Sequence, residues 1–510
     1  MRIRKVLFLT LLVALLGGHF ASAATIPVTT TIQAAINSAS DGDVIVIPAG
    51  TYPEQISISG FYKLTITGAG PGATIIDGTG LTGNLVNIDY SQKVTLKNLT
   101  TDGAAGSSSI QANINVVNSA NINIMNCSIE NSNQFGALMA FTVNGKVKGC
   151  LIQNNQVGVF LISSVKCSIM TSEITSNTVD GISLGLTHNT KITKNRITNN
   201  GTGINNLEAM ATEVKQNFIS ENITQGIYHE CYGTFGNVYV KNLIVNNIAP
   251  APGVNVAAGI PTFVGNVISG SSAGFASIGT FTYCNFMKNT VMGNNPYGFV
   301  FADSGGYMAK NYISENGYGI FQIVGVPNVI SNILTLIGNK VLNNLSSGLY
   351  SNDSSGTGIL DAEKNFVADN GGPGIAFAGG LGGFVDKNRV ASNTGGGLGT
   401  PPTNIMSVTK NLVTGNTAVG IGGGTFSMIY KNSVLANDAY GIYGFTSSHL
   451  EGNKVMGNTG NGIDGSLSSG SLIESNKAFG NGDGVTYFDL YDNNPDDVWL
   501  FNKAGTASLP

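Results

Sequence analysis

The side chains best suited to chemistry gather around position 230. Tyr228-His229-Glu230-Cys231-Tyr232 is the densest ionisable run in the middle of a 510-residue chain with only 11% charged residues. One repeat earlier stands Asn205-Asn206-Leu207-Glu208, and earlier still Asp180. Glu230 and Glu208 would be the candidate catalytic pair, about one strand spacing apart, although Glu208 falls one position further along and could point in. Two neighbouring carboxylates split in pKa and leave a proton donor beside an ionised partner. Together they could instead hold Ca²⁺, which takes hard oxygen ligands. The bland alternative is an irregular corner with solvated acids. By strand alternation Tyr228 and Glu230 face out while His229 faces in, as a hydrogen-bonded core histidine. A second acidic group, Asp489, Asp492, Asp496 and Asp497, is either a calcium site or a solvated acidic end.

Other chemistries are poorly supplied. Five scattered cysteines and four histidines offer no CxxC or HxxxH spacing, so no metal site built on soft ligands is expected. Cys127 and Cys150 lie one repeat apart, close enough for a disulfide or for two stacked thiols. A formal net charge of −4 and a pI near 5.6 argue against nucleic acid as partner.

The elements that position these residues follow from composition and repetition. Glycine numbers 69 and asparagine 59, both poor helix formers, while β-branched residues are frequent. Lys194–Ile204 reads KNRITNNGTGI, and the pattern returns as KNYISENGYGI at 310–320, KNLVTGNTAVGI at 410–421 and KNSVLANDAYGI at 431–442. Short alternating segments predict strands with one aliphatic side buried. Such units bury that side only by stacking, as coils of a solenoid. Asn at the corners is expected to take the left-handed bend and to form an amide ladder from coil to coil. Counting about 18 coils at ~4.8 Å gives a rod of ~90 Å. The expected solenoid is all-β, with aliphatic interior positions.

The recurring I-x-x-N-x-[IV]-x-x-N-x-x-G-I resembles the repeat of right-handed parallel β-helix proteins, the pectate-lyase-like superfamily. Thr31–Ile58 is similar to the start of such proteins: an amphipathic capping helix, a Gly-Asp turn, then GTY-x-E. Phe488–Trp499 resembles the acidic closing coil of secreted members. The resemblance implies a right-handed parallel β-helix with a short N-terminal capping helix. It divides the chain into a signal peptide (1–23), a cap (24–55), coils (56–487) and a closing segment (488–510). Arg2, Arg4 and Lys5, an apolar run from Val6 to Leu16 and Ala21-Ser22-Ala23 make the signal peptide. Its loss leaves 22 lysines and arginines against 29 acids. No later stretch is long and apolar enough to cross a bilayer. A secreted or periplasmic monomer is expected.

The Gly before each Ile fixes a register, so the second residue after that Gly points outward. This column holds Phe160, Ser183, Asn205, Tyr228, Val300, Phe321, Tyr350, Ala376, Gly422, Tyr443 and Asp464. Phe160, Tyr228, Phe321 and Tyr350, with Asn205, are the candidate substrate-binding residues, since flat rings with polar rims suit sugar faces; aromatics also simply favour strands. The resemblance implies polysaccharide as partner and a lyase, epimerase or hydrolase as the activity, yet no local catalytic signature of the superfamily is present. A non-catalytic adhesive rod is the rival. A periplasmic maturation factor, like the copper-site assembly protein of nitrous oxide reductase, is a third reading, against which the scarcity of histidine and clustered sulfur ligands counts.

Overall fold

The computed structural model describes residues 23–104, 111–232, 236–248, 250, 252–326, 332–379, 382–399 and 405–509. The expected signal peptide thus lies outside the described residues, apart from Ala23. One coil stands for the rest. Lys191–Thr193, Arg196–Thr198 and Thr202–Leu207 are three short strands, whose Ile192, Ile197 and Ile204 point inward and are fully buried. Each lies in parallel register on the next coil, Ile192 on Val214, Ile197 on Ile219 and Ile204 on Ile227. We call the three resulting sheets A, B and C, in that order along the coil. Among the described residues they contain 21, 20 and 20 strands, which makes about 20 coils rather than 18. Near the N-terminal end some coils are longer, as the 28-residue step from Asn87 to Asn115 shows. At ~4.8 Å per coil the rod is ~95 Å long.

The corners divide the asparagines: Asn126, Asn144, Asn154, Asn189, Asn199 and others take the left-handed bend as expected, but those that bond from coil to coil do not. Asn195, Asn217, Asn242 and their successors do not adopt the left-handed bend. The residue before each does: Lys194 (φ 57°), Gln216 (56°), Lys241 (53°) and, further on, Lys410 (54°). That bend turns the following asparagine inward, where it is buried. There Asn411 Nδ2 donates to Val385 O at 2.7 Å and to Asn432 Oδ1 at 3.0 Å, while its own Oδ1 accepts from the backbone and amide nitrogens of Asn388. The same bonds link asparagines from Asn195 to Asn502. A second row starts at Asn155 and, after a break at Asn247 and Ser271, ends on Asp489. Asparagine fits because one side chain satisfies donors and acceptors that a sharp corner strips from the strands.

The interior is not aliphatic throughout. Tyr239, Phe263, Phe275, Phe286, Phe299 and Phe301 fill the core of the middle coils, with Tyr239 stacked on Phe263 at 4.6 Å and Phe263 on Phe286 at 5.3 Å. Here β-branched residues give way to rings that stack at the strand spacing. Cys127 and Cys150 are free, buried thiols in successive coils.

One helix is present among the described residues, Ile32–Ser38, with Thr31 as N-cap. Ile32, Ala35 and Ile36 join the buried core, and Glu54 accepts from the backbone nitrogens of Ile32 and Gln33. At the other end the acids are not a solvated group. Asp489 receives the backbone nitrogens of Asn481, Gly505 and Thr506, Asp492 receives the Trp499 indole at 2.8 Å, and Asp497 receives Ser471. All three are buried, and only Asp496 is exposed. Their oxygens are acceptors for backbone that the last coil cannot pair.

Candidate functional site

The outward column read from the sequence is a continuous file on sheet C. Phe160 pairs with Ser183, Ser183 with Asn205, Asn205 with Tyr228, and beyond them Val300 with Phe321, Phe321 with Tyr350 and Tyr350 with Ala376. Not all of it is open: Ser183, Ala376 and Asp464 are buried.

Around Tyr228 the file is polar. The Tyr228 hydroxyl donates to Glu230 Oε2 at 2.7 Å and the Tyr232 hydroxyl to Glu230 Oε1 at 3.0 Å, so both carboxylate oxygens carry a phenol. Burial first, and then the bond to Glu230, pushes the Tyr228 hydroxyl up to about 12. One coil back, Asn205 Nδ2 donates to Asp180 Oδ2 at 2.9 Å, and burial raises the Asp180 carboxyl. Glu208 stands differently. The in-register partner of Glu230 is Leu207, while Glu208 lies one residue past the strand with φ 55°, its backbone nitrogen donating to Glu230 O. The two glutamates are therefore offset by one residue and a left-handed bend.

His229 points into the core, 1% exposed, with Nδ1 at 2.9 Å from the Tyr239 hydroxyl and 3.3 Å from Asn206 Nδ2. Burial takes its imidazole down to about 3, leaving it neutral at ordinary pH. It holds coils together.

Further along, the file becomes aromatic. Phe321 stacks on Tyr350 at 5.2 Å and 12°, and Tyr297 and Tyr318 pack against Phe321 at 5.0 and 5.1 Å. These four half-exposed rings make one platform across three coils. Tyr297 and Tyr318 went unrecognised because they sit three residues before the column. Their shared place before Gly298 and Gly319 is the signal that could have found them. Phe160 is not part of this platform; it stacks on Phe135 at 5.2 Å, on the far side of Tyr228.

A second recess opens on the outer face of sheet A. Two cavities of about 220 and 320 Å³ share Phe384, which is 63% exposed; Met406 and Met428 line one, and Asp361, Glu363 and Asp386 the other. Burial raises the Asp361 carboxyl. Further down the same face His449, Glu451 and Glu474 bring one ligand atom each within 4.8 Å of the others, a grouping that a search for HxxxH spacing does not find. Its signal was the coil period, which sets Glu474 beside Glu451.

Compared with known proteins, residues 56–219, 136–283 and 324–489 match the family described as right handed beta helix region, more than half of the chain. The chain belongs to that family. No curated protein matches it. Similar solved structures share little sequence identity with this chain. A DFA-IIIase from Arthrobacter chlorophenolicus A6, without its lid, is 12% identical, with 66% of this chain and 95% of that one covered and a TM-score of 0.40. An alginate lyase from Paenibacillus sp. str. FPU-7 is 17% identical over 48% of this chain and 94% of that one, at a TM-score of 0.39. PfbA, a surface adhesin of Streptococcus pneumoniae, is 12% identical over 62% and 91%, again at 0.39. Among the described residues no helix is long and apolar enough to cross a membrane.

Proposed function

We propose that this β-helix protein binds an extended polysaccharide along the outer face of sheet C. The observation that carries the reading is the platform of Tyr297, Tyr318, Phe321 and Tyr350, four rings that lie outside the buried core. Stacked, half-exposed rings offer sugar C–H faces an apolar surface with hydroxyls at the rim. Successive coils repeat at ~4.8 Å, so a polymer lying along the axis meets the same kind of contact several times. Tyr228, Asn205 and Glu230 supply polar contacts on the same file, with Glu208 at its border and Phe160 beyond. In the same reading residues 1–23 direct secretion, the helix at Ile32–Ser38 caps the first coil, and the asparagine rows act as ladders that keep the rod straight.

Binding without turnover is favoured by Glu230 itself. Both of its oxygens accept tyrosine hydroxyls, which orients the carboxylate and occupies it. An adhesive or scaffolding rod fits that arrangement better than a lyase or hydrolase. The test is affinity electrophoresis of the protein in gels containing pectate, alginate, a glycosaminoglycan or a neutral glucan, with ultraviolet detection of unsaturated products. At least one polymer should retard the protein, with no product formed. Retardation by none of them, or equal retardation of a Phe321→Ala/Tyr350→Ala variant, would end the proposal; product formation would return it to the enzymes.

A further inference from the structure

We propose that His449, Glu451 and Glu474 form a binding site for a divalent transition-metal ion on the outer face of sheet A. His449 and Glu451 flank the buried Leu450 on one strand, so both side chains face outward. Glu474 is the register partner of Glu451 on the next coil. His449 Nε2 lies 2.8 Å from Glu474 Oε1, and one ligand atom from each of the three residues falls within 4.8 Å of the others. Small side-chain rotations bring such atoms to the ~3.4 Å separation that metal bonds of about 2.0–2.2 Å require.

The imidazole is already oriented. The Tyr430 hydroxyl lies 2.6 Å from His449 Nδ1, with the two rings edge-on at 5.0 Å. A partner on Nδ1 leaves Nε2 as the ligand atom, aimed at the carboxylates; this is how metal-bound histidines are usually held. Tyr430 is thus a positioning residue.

A contrast within the same column points to a cation from solution. Glu363 and Asp386 are likewise register partners on neighbouring coils of sheet A, two acids one strand apart. There the corner residues that follow them, Lys364 and Lys387, turn back onto the carboxylates at 2.6 and 2.5 Å. After Glu451 and Glu474 the corner residues are Gly452 and Ser475. Among the described residues no lysine or arginine forms an ion pair with either glutamate, and the basic group that meets one of them is His449. The two acids repel each other unless a positive charge sits between them. An imidazole with two carboxylates suits Zn²⁺ and its neighbours better than Ca²⁺, which prefers oxygen alone. Three protein ligands also leave a position open to water or to a hydroxyl of a bound molecule.

Isothermal titration of the full chain with Zn²⁺, and separately with Ca²⁺, tests the site. One Zn²⁺ per chain should bind, more tightly than Ca²⁺. His449→Gln and Glu474→Gln, both outward substitutions, should each weaken Zn²⁺ at least tenfold without moving the melting temperature measured free of metal. Tyr430→Phe should weaken it less and alter the visible spectrum of the Co²⁺-loaded protein. Gly452→Lys restores the corner lysine of the other coils, whose backbone (φ 55° at Lys431) matches that of Gly452 (64°); it should displace the metal. Absence of stoichiometric Zn²⁺ binding, tighter binding of Ca²⁺, or Zn²⁺ affinity unchanged in both His449→Gln and Gly452→Lys would overturn the proposal.

Discussion

The inside of the corners and the outside of sheet C are built on one repeat, yet they differ in kind. Along the inside, asparagine follows asparagine at intervals of 21 to 28 residues, each making the same bonds to the next. Along the outside, equivalent positions run Phe160, Ser183, Asn205, Tyr228 and later Phe321, Tyr350, Ala376, with no two coils alike until the rings begin. Uniformity marks what every coil needs in order to stack. Departures from it mark what stacking does not need, and these are the places to look for binding.

The comparison breaks most visibly at Asn411. Leucine there would strand the backbone nitrogen of Asn388 and the carbonyl of Val385, and weaken the amides on either side. Each buried group left unpaired costs about 1–3 kcal/mol, so the whole loss should be about 4 kcal/mol. The corner bend itself is untouched, because Lys410 makes it. A thermal midpoint within a degree of wild type would show that the asparagine row is an ornament of the repeat.

His229 gives the next effect, and only in acid. Its folded-state value near 3 lies below the ordinary 6.5, so between these limits the unfolded chain holds a proton that the folded one refuses. Stability is therefore complete above about pH 6.5 and declines as pH falls toward 3. At pH 4 the loss from this one group is about 3 kcal/mol, at about 1.4 kcal/mol per unit. His229→Gln cannot titrate and should lose less midpoint between pH 7 and pH 4 than wild type. Equal losses would mean that His229 takes up its proton without unfolding.

These two cases separate what a sequence carries from what it conceals. The asparagines and the outward column were legible because both hang on a fixed offset from the G-[IV] step, and parity does the rest. The left-handed bend was placed rightly at corners such as Asn144, Asn154 and Asn199 but wrongly at the ladder asparagines, where the preceding residue, often a lysine, bends and the asparagine bonds. The aromatic core was hidden because Phe263 and Phe286 occupy ordinary aliphatic positions, distinguished only by size. The one-residue offset of Glu208 from Glu230 was legible in the register, but the bend at Glu208 is announced by no local motif, and the platform partners Tyr297 and Tyr318 lie outside the column altogether.

On the outer face the expected effects are on binding. Phe321→Ala and Tyr350→Ala each remove half of a stacked pair of partly exposed rings. Each should cost polymer affinity about tenfold, about 1.4 kcal/mol, which is the range of one aromatic contact. The melting temperature should barely move, since no buried bond is lost. A large fall in melting temperature with unchanged retardation would assign these rings to the fold and erase the contrast between inside and outside.

The smallest effect should be the most specific. Tyr228 ionises late because its hydroxyl is partly buried and also because it donates to Glu230, burial being the larger cause. Glutamine at 230 is neutral and isosteric, so it removes the second cause and leaves the first. The Tyr228 hydroxyl should then ionise between about 12 and the ordinary tyrosine value of 10.0. Subtracting the ultraviolet titration of Tyr228→Phe from wild type, and that of the double variant from Glu230→Gln, isolates this one phenol in each background. If Tyr228 titrates identically in both, the short bond to Glu230 does not persist in solution, and the polar end of the sheet C file is a set of independent surface groups. If it shifts as expected, the carboxylate and its two tyrosines act as one unit, and Glu230→Gln should weaken polymer binding even though no ring has been touched.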